Sequence, residues 1–389
     1  MPLKSAFNLI PALALLTVSA CGAQQLPLNP AIVSGQQGLN GLRASGQLPA
    51  STLPPEAPPL PNAKRLDIRL FRSSGTAENV VIQARVIEYQ GEAPQPDESR
   101  WRTILRNLNG ITVYEVPGVK VRFNLNGQAV YGVSDKEGMI RLSTPNFGPL
   151  TPGLHRLNAE MAGGQPYTAT PSSEVLSIHA SQDQSLAVIS DIDDTLKFSN
   201  VSNKLDAARK LFFQSPFEAR PIAGMPVLYQ RLEARIDGQS NDGDIFYLSG
   251  SPLNFSRQIY TFLDHQRFPQ GAVTLKKWGF GADSDNPLIQ TEYKLRSLRD
   301  TLTRHPGRPF LLFGDSSEAD AEIYQQIAAE FPGRVRGIFI NNVTQASAQD
   351  PRYQNVHLTR SSVEAAVILQ QMGLLTPEDV VAVQQSLAP

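Results

Sequence analysis

The chain has 389 residues, 41% of them hydrophobic, enough for two folded units with separate cores plus linkers. Its 35 basic and 36 acidic residues leave a formal net charge of -1, so overall charge provides no pull toward nucleic acid or anionic lipid, and a charged ligand must be captured by a local site. With Cys21 as the one cysteine, a disulfide within the chain is excluded.

Residues 1–20 read as a signal peptide for export. Lys4 precedes an apolar run from Leu9 to Val18, broken by Pro11 and closed by Ser19 and Ala20. That run is shorter than the roughly 20 apolar residues a membrane-spanning helix needs. Val18-Ser19-Ala20-Cys21 resembles the bacterial lipobox, which implies lipidation at Cys21 and a membrane-anchored lipoprotein of the bacterial cell envelope. Ordinary cleavage after Ala20, leaving a free thiol, is the other reading. Residues 21–62 carry Pro, Gly, Gln and Ser without apolar periodicity and close in Leu53-Pro54-Pro55-Glu56-Ala57-Pro58-Pro59-Leu60-Pro61. This composition predicts a tether with a mean span on the order of 35 Å, stiffer at its Pro-rich end.

Residues 63–182 alternate apolar and polar positions, as in Val80-Val81-Ile82-Gln83-Ala84-Arg85-Val86 and Val119-Lys120-Val121-Arg122-Phe123. Period two with turn clusters between the runs predicts antiparallel strands. Asn126-Gly127 marks a type I′ hairpin, and Lys136-Glu137-Gly138 marks another turn before Ile140. An antiparallel β-sandwich is the expected architecture.

From residue 183 to 389 short apolar strands alternate with helical stretches, the pattern of a parallel sheet with crossover helices. Strands are expected at Leu186 to Ser190, Ile245 to Ser249, Phe310 to Phe313 and Gly337 to Ile340, nearly continuous in apolar residues because both faces are covered. Thr376-Pro377-Glu378-Asp379 announces a last helix by N-cap, first-turn proline and first-turn acids. No internal repeat is present.

The chemistry collects where these strands end. The first delivers Asp191-Ile192-Asp193-Asp194-Thr195 to the carboxyl edge of the sheet, where open α/β folds place their ligands. Taken alone, the stretch also reads as an acidic turn capping the next helix. Phosphoryl transfer needs an in-line nucleophile, a group to protonate the departing oxygen, and positive charge against the repulsion between carboxylate and phosphate. Asp191, ionised without an activating base, suits the nucleophile. Asp193, a second carboxyl beside an anionic site, suits the acid that then activates water. The positive charge points to Mg2+, which prefers oxygen ligands, here from Asp191, Asp193, Asp315 and Asp320. Asp315 and Asp320 lie in Gly314-Asp315-Ser316-Ser317-Glu318-Ala319-Asp320, after a further apolar strand. Glu318 reads instead as a first-turn acid opposing a helix dipole.

Tyr247-Leu248-Ser249-Gly250-Ser251-Pro252 forms a third strand end, with Ser251 expected to cap a helix that starts at Pro252. Ser249 offers a hydroxyl, Gly250 lets backbone approach an anion, and Thr195 and Lys294 complete the expected phosphate-binding set. Lys294 precedes the stripe Leu295, Leu298 and Leu302, with Lys276 and Lys277 as competing cations and a solvated surface charge as the alternative role. The histidines at 155, 179, 265, 305 and 357 show no metal-ligand spacing and are expected to be structural or superficial.

In this order Asp191-x-Asp193-x-Thr195, Ser249, Lys294, Asp315 and Asp320 resemble the four motifs of the haloacid dehalogenase-like superfamily. More narrowly, Val188-Ile189-Ser190-Asp191-Ile192-Asp193-Asp194-Thr195, Tyr247-Leu248-Ser249-Gly250-Ser251-Pro252 and Gly314-Asp315-Ser316 look like the catalytic domain of actin-patch-protein-type phosphatidate phosphatases, over roughly residues 186 to 343. Val116-Pro117-Gly118-Val119-Lys120-Val121-Arg122-Phe123 and Ser134-Asp135-Lys136-Glu137-Gly138 resemble the β-domain preceding it in bacterial members.

The resemblance implies a haloacid-dehalogenase-like Rossmannoid α/β fold with a small helical cap between Leu196 and Pro221. It implies Mg2+-dependent hydrolysis of phosphatidate to diacylglycerol and phosphate through an aspartyl-phosphate on Asp191. The implied partner is a phospholipid substrate at a membrane surface, with no nucleic acid and no obligate protein partner. Leu211-Phe212-Phe213 and Phe217 are placed to touch acyl chains or simply to pack the cap. Ser317 stands where the family pattern leads one to expect glycine, and Asn341-Asn342 where it tends to carry arginine. Two other functions fit the same residues: a phosphatase for soluble phosphomonoesters, since the residues named read only the phosphoryl group, and a noncatalytic envelope-binding lipoprotein.

Overall fold

The computed structural model describes residues 65–109, 113–198, 215–239, 242–277 and 290–387. Cys21, the signal and tether regions, and Leu211-Phe212-Phe213 of the expected cap lie outside the described residues.

The first region contains β1 (Arg65–Leu70), β2 (Ser73–Thr76), β3 (Val81–Glu88), α1 (Arg100–Asn109), β4 (Lys120–Leu125), β5 (Gln128–Val133), β6 (Met139–Ser143), β7 (Gly153–Met161), β8 (Thr168–Thr170) and β9 (Ser172–His179). They form a four-stranded sheet, β6-β3-β1-β8, and a five-stranded sheet, β2-β9-β7-β4-β5. Alternation decides the faces: along β4, Val121, Phe123 and Leu125 are buried while Lys120, Arg122 and Asn124 are less so. Ile68, Ile82 and Val86 of one sheet join Phe123, Leu157 and Leu176 of the other in a single buried cluster. Asn126 (φ 50) and Gly127 (φ 82) make the β4–β5 hairpin, both left-handed as a type I′ turn requires.

The expectation of purely antiparallel pairing is corrected at two edges. β1 pairs with β8, and β2 with β9, in parallel. Both β2 and β8 arrive from the opposite sheet rather than through a hairpin, so no tight turn fixes an antiparallel sense.

The second region runs β10 (Ala187–Ser190), α2 (Met225–Ile236), β11 (Ile245–Pro252), α3 (Ser256–His265), β12 (Val273–Lys276), α4 (Thr291–Arg304), β13 (Phe310–Asp315), α5 (Asp320–Glu330), β14 (Val335–Asn341), β15 (His357–Thr359), α6 (Ser362–Gln371) and α7 (Pro377–Gln385). Its six strands lie in the order β12-β11-β10-β13-β14-β15, all parallel. This is the doubly wound order, whose direction of winding reverses between β10 and β13. Alternate residues of each strand serve opposite faces: Val188 packs with Tyr229, Leu228 and Leu369, whereas Ala187 and Ile189 pack with Leu298, Leu302 and Tyr324. Burial on both sides explains why these strands read as unbroken apolar runs. Thr376 caps α7 through a reciprocal capping box with Asp379, as its sequence predicts.

The two regions share a packed junction. Phe71 enters the core cluster of the parallel sheet. Arg72 forks onto Asp264 of α3 at 3.0 and 2.6 Å, and its Nε donates to Glu174 at 2.9 Å. Among the described residues no helix is long and apolar enough to cross a membrane.

Candidate active site

β10, β11 and β13 are adjacent and parallel, so their carboxyl ends converge on one edge at the winding reversal. Asp191 follows β10 directly, and its N–H donates to Phe313 O of β13 at 2.9 Å, which fixes the loop to its neighbour. Asp194 takes a left-handed φ of 55, a conformation Asp tolerates better than most residues, and Asn341 Nδ2 donates to its carbonyl at 2.7 Å. Asn341, one of the departures from the family pattern, thus braces the loop that carries Asp191.

Asp191, Asp315 and Asp320 come together in space, with one oxygen from each within 4.8 Å of the others, and all three are buried. Lys294 of α4 is fully buried among them, its Nζ 2.9 Å from Asp191 Oδ1, 2.5 Å from Asp320 Oδ1 and 2.9 Å from Glu318 Oε2. A solvated surface role for Lys294 is thereby excluded. Gly314 makes the approach possible: a Cβ there would lie 2.5 Å from Asp320 Oδ2. Asp315 N donates to Asp320 Oδ2 at 3.2 Å, while Ser317 N donates to Asp315 Oδ1 at 2.6 Å and the Ser317 hydroxyl donates to the same oxygen, so the serine side chain is part of the loop's hydrogen bonding.

Four carboxylates face one ammonium here, and that imbalance governs protonation. Burial pushes the Asp191 carboxyl well above its ordinary range, opposed by Lys294 and reinforced by Asp320, Glu318 and Asp315. Burial and then Asp320 push Asp315 up to about 7. Burial likewise raises Asp320. For Lys294 burial favours the neutral amine, but Asp191, Asp320 and Glu318 outweigh it and hold the ammonium charged. Asp191 Oδ2 and Asp315 Oδ2 are buried without a hydrogen-bond partner. Uncompensated acids and orphaned carboxylate oxygens are the donor set of a hard divalent cation, so these residues could hold a metal ion.

A second group lies beside the first. Asp193 Oδ2 is 3.5 Å from Ser249 Oγ and 3.3 Å from Ser251 Oγ, and Lys197 Nζ is 3.6 Å from Asp193 Oδ1. The Asp193 carboxylate is not one of the three whose oxygens converge within 4.8 Å of one another. The reason is geometric: Asp193 turns toward the serines at the end of β11. Ser249 is fully buried and Thr195 nearly so, with Thr195 Oγ1 unpartnered. Gly250 sits against Gln290, whose Oε1 a Cβ at 250 would meet at 2.7 Å. Ser251 does not cap a helix as expected. β11 continues through Pro252, a short 3-10 turn follows over Leu253–Phe255, and α3 starts at Ser256.

Next to Asp193 opens a recess lined by Ile192, Pro216, Ala219, Phe255, Ile259 and Phe262, with Gln258 and Lys197 among its polar members. Phe217, an expected cap residue, stacks edge-on against His265 at 5.1 Å. Sequence reasoning left Glu318 out because it assigned that acid to the first turn of a helix. The helix begins at Asp320, and Glu318 is free to reach Lys294 from the loop before it. Lys197, four residues after Asp193, was also missed, its signal being the i,i+4 spacing alone.

Residues 186–342 match the family model described as phosphatidate phosphatase APP1, catalytic domain. Phosphatidate phosphatase APP1 of Saccharomyces cerevisiae is 28% identical over 194 residues, covering 48% of this chain and 32% of the yeast protein. An uncharacterized protein of Schizosaccharomyces pombe is 27% identical over 160 residues, covering 41% of this chain and 25% of that protein. The chain thus spans well under half the length of either relative. Among solved structures, the DsGPDH of Dunaliella salina superposes with a TM-score of 0.32 at 16% identity, over 48% of this chain and 36% of that one, too slight a likeness to bear on the fold.

Proposed function

Residues 186–342 constitute an APP1-type catalytic domain, and from that premise we propose that the chain is a phosphatidate phosphatase of haloacid-dehalogenase-like fold, preceded by a β-sandwich and dependent on Mg2+. The observation that carries the reading is the meeting of Asp191, Asp315 and Asp320 around Lys294 at the winding reversal, with two carboxylate oxygens left unpartnered. Asp191, Asp315 and Asp320 would hold the cation. When bound, Mg2+ supplies positive charge that offsets the repulsion between carboxylate and phosphate and keeps Asp191 ionised.

Asp191 forms a bond to phosphorus as the bond from phosphorus to the leaving oxygen breaks, and Asp193 delivers a proton to that oxygen. Asp193, now a carboxylate, takes a proton from water, whose oxygen attacks phosphorus and releases phosphate, returning Asp191 to its starting state. Lys294 neutralises the acids on either side of the nucleophile. Thr195, Ser249 and the backbone at Gly250 are the proposed donors to the phosphoryl oxygens. The apolar lining next to Asp193 supports a leaving group with hydrocarbon near the scissile bond over a nucleotide or sugar. Export and a lipid anchor at Cys21 are part of the proposal and rest on the sequence alone.

The test is a substrate panel with Mg2+: phosphatidate and lysophosphatidate in mixed micelles against soluble phosphomonoesters. Phosphatidate should turn over with the highest kcat/KM. Turnover restricted to soluble esters would redirect the substrate, and no turnover of any would end the enzymatic reading.

A further inference from the structure

Two apolar side chains of α1, Trp101 and Leu105, face away from the core. Arg100-Trp101-Arg102-Thr103-Ile104-Leu105-Arg106-Asn107-Leu108 sets Trp101, Ile104, Leu105 and Leu108 at the spacing of one helix face, which in a globular protein ordinarily turns inward. Here the inward side belongs to the polar Thr103 and Asn107, both buried, while Trp101 is 71% and Leu105 54% exposed. An amphipathic helix with its polar side inward leaves apolar surface in water, and that surface requires a partner.

Charge and position identify the partner. The helix carries three arginines and no acid. Arg106 pairs with Glu98, and Arg102 is exposed next to Trp101. Tryptophan and leucine beside arginine is the composition of helices that lie in the headgroup layer of an anionic bilayer. On its inner side Asn107 Oδ1 accepts from Gln258 Nε2 at 3.2 Å, and Gln258 lines the recess next to Asp193. Phe198, 52% exposed, follows Lys197, which lines the same recess. The helix therefore meets a lining residue of the recess through Asn107, and the exposed Phe198 adjoins another in sequence.

The geometry points to α1 as a lipid-docking helix: the Trp101 and Leu105 face, with Arg102, enters an anionic membrane surface and presents the Asp193 recess to it. The choice of a lipid surface over a protein surface rests on the phosphatidate reading above.

The test compares the full chain with a Trp101→Ser/Leu105→Ser variant in two assays, both proteins made with Cys21→Ser so that the proposed lipid anchor cannot hold either on a vesicle. Co-sedimentation with vesicles of phosphatidylcholine plus phosphatidylglycerol should be weakened at least about tenfold by the double substitution. Binding of the wild type should fall when phosphatidylglycerol is omitted. Turnover of p-nitrophenyl phosphate should be unchanged, since neither residue touches the acids. In a Trp278→Phe background Trp101 is the one tryptophan left, and its emission should shift to the blue on vesicles. Equal vesicle binding by both proteins, or none by the wild type, overturns the assignment. Self-association that the variant abolishes would give the face to a second copy and overturn it equally. A wild type that binds vesicles but hydrolyses nothing would sink the phosphatase reading while leaving the docking surface standing.

Discussion

The parallel sheet carries a buried charge cluster at each end, and the two are built on opposite terms. At the carboxyl end, Asp191, Asp320 and Glu318 share one lysine and Asp315 lies beside them, four acids to one cation. At the amino end, Arg308 is almost fully buried and amply satisfied. It pairs with Asp244, lies 3.2 Å from Asp183 Oδ2, and has Nη1 2.7 Å from His179 Nδ1, while Nη2 donates to Leu186 O at 2.8 Å. His179, Asp183 and Asp244 also have the spacing of a metal site, but the Arg308 guanidinium already contacts all three. A cluster that supplies its own cation ties the β-region to the sheet. One that lacks enough positive charge is ready to bind it.

Substitutions separate the two ends. Asp191→Asn should remove at least about 10,000-fold of turnover, roughly 5.5 kcal/mol of barrier, with little change in folding. A variant that keeps its activity would put the nucleophile elsewhere. Arg308→Met should do the reverse: it leaves Asp244 buried and unpaired, at a cost of about 3–5 kcal/mol in urea unfolding, while kcat of the remaining folded protein holds. A loss of kcat without a loss of stability would join the two ends functionally and break the contrast.

Acidity should act on the two ends with opposite signs. Asp315 stands at about 7 in the folded chain against 3.8 as the ordinary value. A raised carboxyl contributes stability present below its unfolded pKa and lost as pH rises through its folded pKa. Mg2+ in place of the protons removes that loss, so the rise in Tm on adding Mg2+ should be larger at about pH 8 than at about pH 5. A rise independent of pH would mean that the ion binds away from these acids.

At the amino end burial holds His179 down to about 3 and His305 to about 2, against 6.5. Below 6.5 the unfolded chain takes up protons that the folded chain refuses, so stability falls as pH drops toward those values. His305→Phe should flatten that acid limb by up to about 1.4 kcal/mol per pH unit.

The carboxyl end was the more legible of the two in the sequence, because apolar strands running straight into acids at Asp191 and Asp315 have few structural explanations. The central strands β10, β11, β13 and β14 were legible as nearly continuous apolar runs. The edge strands β12 and β15 were not: Val273-Thr274-Leu275-Lys276 and His357-Leu358-Thr359 mix polar with apolar residues over too few positions to show a run or a period. The parallel edges of the β-region were hidden because alternation fixes which face a residue takes but not the direction of its neighbour. Arg308 was unreadable as a junction residue, since its partners at 179, 183 and 244 share no local pattern with it. The role of Glu318 depended on where α5 begins, a boundary that two acids two residues apart cannot decide.

In the proposed reaction one of the acids at the carboxyl end, Asp191, bonds to phosphorus. Phosphatidate radiolabelled in its phosphate, mixed with the protein and Mg2+ and quenched in acid within one turnover, tests it directly. A hydroxylamine-labile label should appear on the peptide containing Asp191, and should be absent without Mg2+. Full turnover with no labelled protein, or label on a peptide lacking Asp191, would contradict it.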